Sequence, residues 1–86
     1  MEIRFKKSFV KQYGKLQKSQ QGRVDRALET FEKNPRDPIL KNHALLGVLK
    51  GKRSISAGFD LRVVFAVERD YLVVLMLGVG THNQVY

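Results

Sequence analysis

The sequence predicts an α+β fold in which an N-terminal strand and a two-helix antiparallel hairpin pack on a mostly antiparallel four-stranded sheet. The first observation is a change of apolar periodicity, from alternation in residues 1–5 to helical spacing in residues 8–31. The second is a pair of C-terminal segments rich in Val, Ile, Leu and Phe, which are typical of strands. Because 86 residues of even composition support one core, residues 1–86 are expected to form a single domain.

The N-terminal part of the chain accounts for the first strand and both helices. MEIRF alternates apolar and charged residues, so Ile3 and Phe5 are expected on one face of a short strand. A first helix is predicted from Ser8, and a second is predicted from a cap at Ser19 to a stop before Pro35. Apolar residues recur at helical spacing in both: Phe9, Val10, Tyr13 and Leu16, then Val24, Ala27, Leu28 and Phe31. Neither apolar stripe is large enough to be stable alone, so both helices need a sheet to cover.

The middle and C-terminal parts are predicted as a loop followed by two strands. Residues 35–53 are irregular, with a helical turn expected at 39–41 and a short strand expected to enter at Val48. RSISAGFDLRVVFAV, residues 53–67, and YLVVLMLGVG, residues 71–80, are predicted as two long strands of one antiparallel hairpin.

The register of this hairpin follows from side-chain size. In LRVVFAV the odd-numbered positions are large and apolar, so their face is expected to receive the helices. In the last strand the bulkier face is again odd-numbered: Tyr71, Val73, Leu75 and Leu77. A three-residue loop, 68–70, would put both bulky faces on one side, because a slip of one residue reverses every side chain.

That register predicts a polar cluster at one end of the uncovered face. It sets three pairs of residues opposite each other: Arg62 and Met76, Asp60 and Gly78, and, roughly, Ser56 and His82. His82 belongs to the terminal segment GTHNQVY, which is expected to be a loop directly beyond the last strand. A histidine, a carboxylate and a guanidinium together suit acid–base chemistry on a phosphate.

Composition and charge limit the classes of function. Sixteen Lys and Arg against eight Asp and Glu give a net charge of +8 and a pI near 10.1, so nucleic acid or an acidic protein is the expected partner. Without cysteine there is no disulfide, thiolate nucleophile or sulfur metal site. No segment reads as a signal peptide or a membrane span, so a soluble, cytoplasmic protein is expected.

Several motifs taken together resemble the RelE superfamily of bacterial toxins, and most of all its YafQ branch. HALLGVLKGKR has a His-x-x-Leu-Gly pattern before a basic KGxR segment, and FDLRVVFAV has an aspartate where the next strand starts. LGVGTHNQVY ends in GTH with an aromatic residue four positions after the histidine. The resemblance covers nearly the whole chain, since the order of strand, helix pair and three further strands is also that of the family.

The resemblance implies the toxin of a toxin–antitoxin system, which enters the ribosomal A site and cuts mRNA there. In such a metal-independent endoribonuclease, a ribose 2′-hydroxyl attacks the adjacent phosphate and leaves a 2′,3′-cyclic phosphate and a 5′-hydroxyl. The reaction needs a base, an acid and positive charge near the phosphate, but no metal and no small-molecule cofactor. The implied partners are the ribosome, mRNA and an acidic antitoxin, with no membrane.

Five residues match active-site positions of the family. His82 is expected as general acid, since histidine ordinarily titrates at about pH 6.5. Asp60 is expected as the base or as the group that orients His82, and His43 matches a further histidine of the YafQ branch. Arg62 matches an arginine at the scissile phosphate, and an unpaired guanidinium is costly to bury in an apolar strand. Tyr86 matches an aromatic residue that stacks on a base. For each, a structural role such as a loop cap or a ring on the core is the alternative.

Other positions leave choices open. Lys50, Lys52 and Arg53 match cations that the family presents to phosphates, although a solvated basic loop would look the same. Ser56 stands where the YafQ branch has another histidine, and serine cannot act as a base near neutral pH, so the identity of the base is open. Two other functions are considered: a ParE-like inhibitor of DNA gyrase, against which GTHNQVY argues, and a basic module that binds ribosomes or RNA without cutting.

Overall fold

The protein has five strands and three α-helices, and the computed structural model describes residues 1–86. The elements follow one another as β1 (Glu2–Phe5), α1 (Lys7–Gly14), α2 (Lys18–Lys33), β2 (His43–Ala44), β3 (Arg53–Ser56), β4 (Leu61–Glu68), β5 (Val73–Thr81) and α3 (His82–Val85). One sheet has the order β1-β5-β4-β3-β2, in which β1 is parallel to β5 and all other pairs are antiparallel. The predicted α+β class and mostly antiparallel sheet are therefore confirmed. None of the helices has the length and apolar character needed to cross a membrane.

The sheet has one strand more than the four predicted. β2 contains only two residues, and it extends the sheet through the pairs His43 with Ser54 and Ala44 with Arg53. A strand this short has no alternation that a sequence pattern could reveal. The helical turn predicted before it is confirmed as a 3-10 helix at Pro38–Leu40.

The core lies between α2 and one face of the sheet. Val24, Ala27 and Phe31 are buried on α2, and Phe31 meets Phe65 of β4 edge-on, with ring centroids 4.9 Å apart. The rest of the cluster comes mainly from the sheet and its turns: Phe9, Leu40, Ile55, Ala57, Leu61, Val63, Val74, Met76 and Val79. The apolar stripe predicted on the second helix is the stripe that the sheet covers.

Polar contacts fix the start of α2 and join it to α1. α2 begins before the cap predicted at Ser19, because Gln17 is its N-cap and donates from its backbone N–H to Gln20 Oε1 at 2.9 Å. The Tyr13 hydroxyl donates to the Asp25 carboxylate at 2.7 Å, and this hydrogen bond raises the pKa of Tyr13. The two helices are therefore linked on their outer side as well as through the core.

α1 lies along the part of β5 that β1 leaves free. β1 pairs only with residues 73–76 of β5. Beyond them, the Ser8 hydroxyl donates to the carbonyl oxygen of Leu77 at 2.6 Å, and the Val79 N–H donates to Gln12 Oε1 at 2.9 Å. Side chains of α1 thus satisfy backbone groups that an open sheet edge would expose.

The single strand predicted over residues 53–67 is wrong, because the chain reverses within it. β3 and β4 are separate strands that pair antiparallel through a turn at residues 57–60. The turn contains Gly58 at φ +87° and Phe59 at φ 45°, both in the left-handed region that favours glycine. The strand predicted to enter at Val48 is also wrong, since Val48 lies in a 3-10 helix and β3 begins only after it.

The residues of β4 and β5 that face the core differ in how regularly they alternate. The core-facing residues of β4 are odd-numbered, as predicted: Leu61, Val63 and Phe65. The core-facing residues of β5 include both even and odd numbers: Val74, Met76 and Val79. The predicted odd face of residues 71–77 is wrong, because the loop before β5 spans residues 69–72, four residues instead of the three predicted, and so turns Val74 and Met76 toward the core. A register shift between Val64 and Phe65 then leaves Leu77 without a paired residue and reverses the parity, so that Val79 faces the core.

Candidate active site on the open face of the sheet

The face of the sheet opposite α2, called the open face below, gathers most of the polar residues that the sequence points to. Strand pairing sets His43, Ser54, Val64 and Gly78 side by side in one row across four strands. Paired residues point to the same side, so these side chains share the open face. The row runs from His43, a candidate catalytic residue, to Gly78 on β5, near the C-terminal helix α3.

Arg62 lies in the next row of the open face, between Ser56 on β3 and Gly80 on β5. The predicted position opposite Met76 is wrong, because the β4–β5 hairpin turns later than predicted and the bulge in β5 adds one residue to that shift. Arg62 Nη1 donates to the carbonyl oxygen of Phe59 at 3.0 Å and approaches Ser56 Oγ at 3.4 Å. Its hydrogen bonds all go to neutral oxygens, and no carboxylate forms a salt bridge with it.

Asp60 and His82 lie at the same end of the β4–β5 ladder. The predicted position of Asp60 opposite Gly78 is wrong, but the corrected register keeps the two groups together. Leu61 pairs with Thr81, Asp60 directly precedes this pair, and His82 directly follows it. Both side chains are exposed. No group of three or more His, Cys, Asp or Glu side chains is close enough together to hold a metal ion.

The segment expected as a C-terminal loop forms the short helix α3, which folds back over the open face. Thr81 is its N-cap, and the Thr81 N–H donates to Gln84 Oε1 at 2.8 Å. A Cβ on Gly80 would lie 2.7 Å from Gln84 Oε1, and one on Gly78 would lie 2.9 Å from Gln12 Oε1 of α1. Gly80 therefore leaves the space into which α3 packs, and Gly78 leaves the space that the Gln12 side chain occupies.

α3 brings His82 and Tyr86 together. The Tyr86 N–H donates to the His82 carbonyl oxygen at 3.0 Å, and the two rings meet edge-on with centroids 4.5 Å apart. The Tyr86 hydroxyl hydrogen-bonds to Ser54 Oγ. Ser54 is the buried polar residue of the protein, with an exposure of 0%. A fully buried hydroxyl thus anchors the aromatic ring that contacts the candidate acid.

His43 presents one nitrogen to solvent on the open face. Its Nδ1 lies 2.8 Å from the carbonyl oxygen of Lys41. A carbonyl oxygen can only accept, so this contact requires the proton on Nδ1. In the neutral ring Nε2 then carries the lone pair, which is the state that a general base needs.

The predicted phosphate-binding cations are placed in two different regions. Lys52 and Lys6 line a cleft of about 270 Å³ beside α3, and Lys50 is exposed at the end of the preceding 3-10 helix. Arg53 is not brought to this group. It lies on the helix-covered side of the sheet, where its Nε donates to Asn42 Oδ1 at 2.8 Å.

The sequence interpretation missed three features of the site: Ser54, Gln84 and the space above Gly80. One signal was available for the first. RSIS alternates polar and apolar residues around Ile55, which is fully buried, so the small hydroxyls belong to the opposite face. A signal was available for Gln84 as well, since Thr81 and Gln84 have the Thr-x-x-Gln spacing of a capping box.

Gly80→Ala is expected to lower the free energy of unfolding by about 1 kcal/mol, as for the loss of an N-cap, because its Cβ would push Gln84 away from the Thr81 N–H. Urea denaturation measures the change. The matched control is Gly14→Ala, which has nothing within 4 Å of the new Cβ and should raise the stability by about 0.5 kcal/mol. Equal stabilisation by both substitutions would mean that α3 does not pack against Gly80.

Comparison with known proteins identifies the fold. No protein-family model and no curated protein sequence matches the chain. Among solved structures, YafQ from E. coli is similar over 99% of this chain and 97% of its own, with 18% identity and a TM-score of 0.82. A copper-bound mutant toxin from Helicobacter pylori is 27% identical, with coverage of 100% and 99% and a TM-score of 0.71. The toxin–antitoxin complex DinJ–YafQ of E. coli gives 20% identity, coverage of 99% and 96%, and a TM-score of 0.77.

These likenesses define a class, the RelE-like fold of toxins from toxin–antitoxin systems. In its fold the chain is YafQ-like, and the predicted likeness to the RelE superfamily is confirmed at the level of the fold. The similarity to YafQ covers nearly the full length of both chains, so it applies to the fold as a whole.

Proposed function

We propose that this protein is the toxin of a toxin–antitoxin pair and that it cuts mRNA in the ribosomal A site as a metal-independent endoribonuclease. The setting of His82 carries the proposal: it is exposed beside the Tyr86 ring, at the end of the face on which Arg62 forms no salt bridge with a carboxylate. The structural likeness to YafQ and to a complex of YafQ with DinJ supports the same function.

His82 is the proposed general acid. In the protonated state its ring donates a proton to the 5′-oxygen that leaves the phosphorus, so that this oxygen departs as a hydroxyl. Asp60 precedes the Leu61–Thr81 pair that His82 follows, and its proposed role is to accept a hydrogen bond from the other ring nitrogen when the substrate is bound, which would fix the orientation of the ring. The Tyr86 ring supports His82 from the other side and offers a surface on which a nucleotide base can stack.

His43 is the proposed general base, since Ser56 cannot fill that role. Its Nε2 is free to accept the proton of the 2′-hydroxyl, because Nδ1 is committed to the carbonyl oxygen of Lys41. The 2′-oxygen then forms a bond to phosphorus as the bond to the 5′-oxygen breaks. One proton is taken at His43 and one is given at His82, so the reaction is balanced without a metal or a cofactor.

Arg62, Lys52 and Lys6 supply positive charge to the phosphate as negative charge builds up on it. Arg62 exchanges its hydrogen bond to the Phe59 carbonyl oxygen for one to a phosphate oxygen, and a charge-assisted hydrogen bond is the stronger of the two. Lys52 and Lys6 flank the cleft beside α3, where the neighbouring phosphates of the mRNA backbone bind. Lys50, exposed at the rim, makes longer-range contacts with RNA.

An acidic antitoxin is the proposed protein partner. A net charge of +8 speeds the capture of an acidic protein and makes the association sensitive to salt. The toxin–antitoxin complex among the structural neighbours supports this partner.

The proposed function is tested by mapping mRNA 5′ ends in a reconstituted translation system. The expected result is cleavage at the A-site codon, with 5′-hydroxyl and 2′,3′-cyclic phosphate ends, when ribosomes are present. Naked mRNA should stay intact at the same protein concentration, because the ribosome holds the substrate in the reactive geometry.

If the mRNA stays intact at concentrations of the protein that stop the growth of cells, the proposed nuclease activity is wrong. Inhibition of purified DNA gyrase under those conditions would then assign a ParE-like function. Ribosome binding without cuts would assign a module that blocks translation by occupancy.

A further inference from the structure

A second cleft lies between α2 and the β3–β4 turn, outside the face that carries His82 and His43. Its volume is about 590 Å³, which is in the range of ligand pockets. Four cationic side chains line it: Arg23, Arg26, Lys41 and Arg62. No Asp or Glu is among its lining residues. The proposed mechanism uses only one of these cations, Arg62.

The charges of this cleft are not neutralised within the protein. The salt bridges of the protein join Arg4 to Glu2 and Arg36 to Asp70, and neither reaches the cleft. The Nε atom of Arg23 is buried and has no hydrogen-bond partner. A buried donor without an acceptor costs stability, and an acceptor supplied by a bound ligand would remove that cost.

Apolar side chains stand beside these cations. Phe59 and Ile39 line the cleft with 86% and 73% of their surface exposed. The Arg23 guanidinium lies over the Phe59 ring, 5.1 Å from its centroid. An exposed aromatic ring, an exposed aliphatic chain and unpaired arginines together match a ligand that is both acidic and apolar.

We propose that this cleft binds an acidic peptide segment of a partner protein. Carboxylates of the segment pair with Arg23 and Arg26, and an apolar side chain of the segment packs between Phe59 and Ile39. Charge complementarity supports the carboxylates, since arginine binds them through two parallel hydrogen bonds. The apolar rim favours a peptide over an RNA backbone, because phosphates and ribose would leave Phe59 and Ile39 in water.

Binding in the cleft would also regulate the proposed active site. Arg62 lines the cleft, and its Cα is paired with that of Gly80 beneath α3. A carboxylate that binds Arg62 from the cleft withdraws it from the scissile phosphate. This regulatory step rests on the proposed function, whereas peptide binding itself does not.

Fluorescence anisotropy tests the binding with a labelled peptide composed of Glu and Leu, compared with a matched peptide of Gln and Leu. We expect Arg26→Glu to weaken binding of the acidic peptide by at least about 10-fold, since it reverses a charge that pairs directly. Phe59→Asn should weaken it about 5-fold, and asparagine tolerates the left-handed backbone at this position. The control Lys18→Glu makes the same change of net charge at an exposed position of α2 outside the cleft, and should have an effect below about 3-fold.

Three results would overturn the inference. Equal loss in Arg26→Glu and Lys18→Glu would mean that the peptide responds only to net charge. Equal affinity for the Glu and Gln peptides would mean that the proposed ion pairs do not form. Tighter binding of a uridine oligonucleotide, lost in Arg26→Glu but kept in Phe59→Asn, would assign the cleft to RNA. None of these readouts depends on mRNA cleavage, so a failure of the nuclease function is seen separately.

Discussion

His82→Gln is expected to reduce mRNA cleavage on the ribosome by at least about 100-fold, which is the lower range for loss of a general acid. Glutamine keeps a polar side chain of similar reach but cannot give up a proton near neutral pH. His82 is exposed, so the substitution removes no core contact and should change stability by less than about 0.5 kcal/mol. Single-turnover cleavage on purified ribosomes measures the loss, and ribosome sedimentation checks that binding is retained.

Asn83→Ala is the matched control for His82→Gln. Asn83 is the neighbouring exposed residue of α3, and none of the protein's side-chain hydrogen bonds involves it. Cleavage by Asn83→Ala should stay within about twofold of the wild type, as for a surface substitution without contacts. Normal cleavage by His82→Gln would exclude His82 as the acid. Equal losses in His82→Gln and Asn83→Ala would mean that α3 acts only as a contact surface.

Local patterns in the sequence predicted the elements that pack on the core. The helical spacing that includes Val24, Ala27 and Phe31 predicted the buried stripe of α2, and the odd face of β4 was predicted from side-chain size. Both patterns work because one face of each element is covered and the other is not. Burial therefore shows in the sequence wherever the element is regular.

Irregularities of the backbone were not predictable in the same way. The bulge at Leu77 reverses the parity of β5, so Val74 and Val79 both reach the core although their numbers differ by an odd count. A strand of Val, Leu and Met is apolar on both faces, and side-chain size alone does not reveal the extra residue. The β3–β4 turn was missed because only Gly58 marks it, and Phe59 follows in a left-handed conformation that is uncommon outside glycine.

The residues that lie together at the candidate site were predicted better than the strand pairing that brings them together. His82, Asp60 and Arg62 were expected together at one end of the uncovered face, and the corrected register keeps them there for a different reason. Asp60 and His82 both lie just beyond the pair of Leu61 with Thr81, whereas the predicted register set Asp60 opposite Gly78 and His82 roughly opposite Ser56. The helix α3 was not predicted, because the capping-box spacing of Thr81 and Gln84 is a weak signal for a helix of four residues, which depends on packing rather than on its own propensity.

Phe65→Ala is expected to destabilise the protein by about 3–5 kcal/mol, as is typical when a buried phenylalanine is replaced by alanine. Phe65 is 0% exposed, and its ring meets Phe31 edge-on, so the substitution opens a cavity between β4 and α2. A domain of 86 residues has a total stability of about 4–13 kcal/mol, so this loss is a large part of it. Urea denaturation followed by circular dichroism measures the change.

The matched control is Phe59→Ala, the same substitution at a ring that is 86% exposed. Loss of its contact with the Arg23 guanidinium should cost at most about 1 kcal/mol, since exposed cation–π pairs contribute about 0.5–1 kcal/mol. A difference of several kcal/mol between the two variants follows from burial alone, because the atoms removed are identical. If Phe65→Ala were as stable as Phe59→Ala, the layer between α2 and β4 would not be the core that supports the open face.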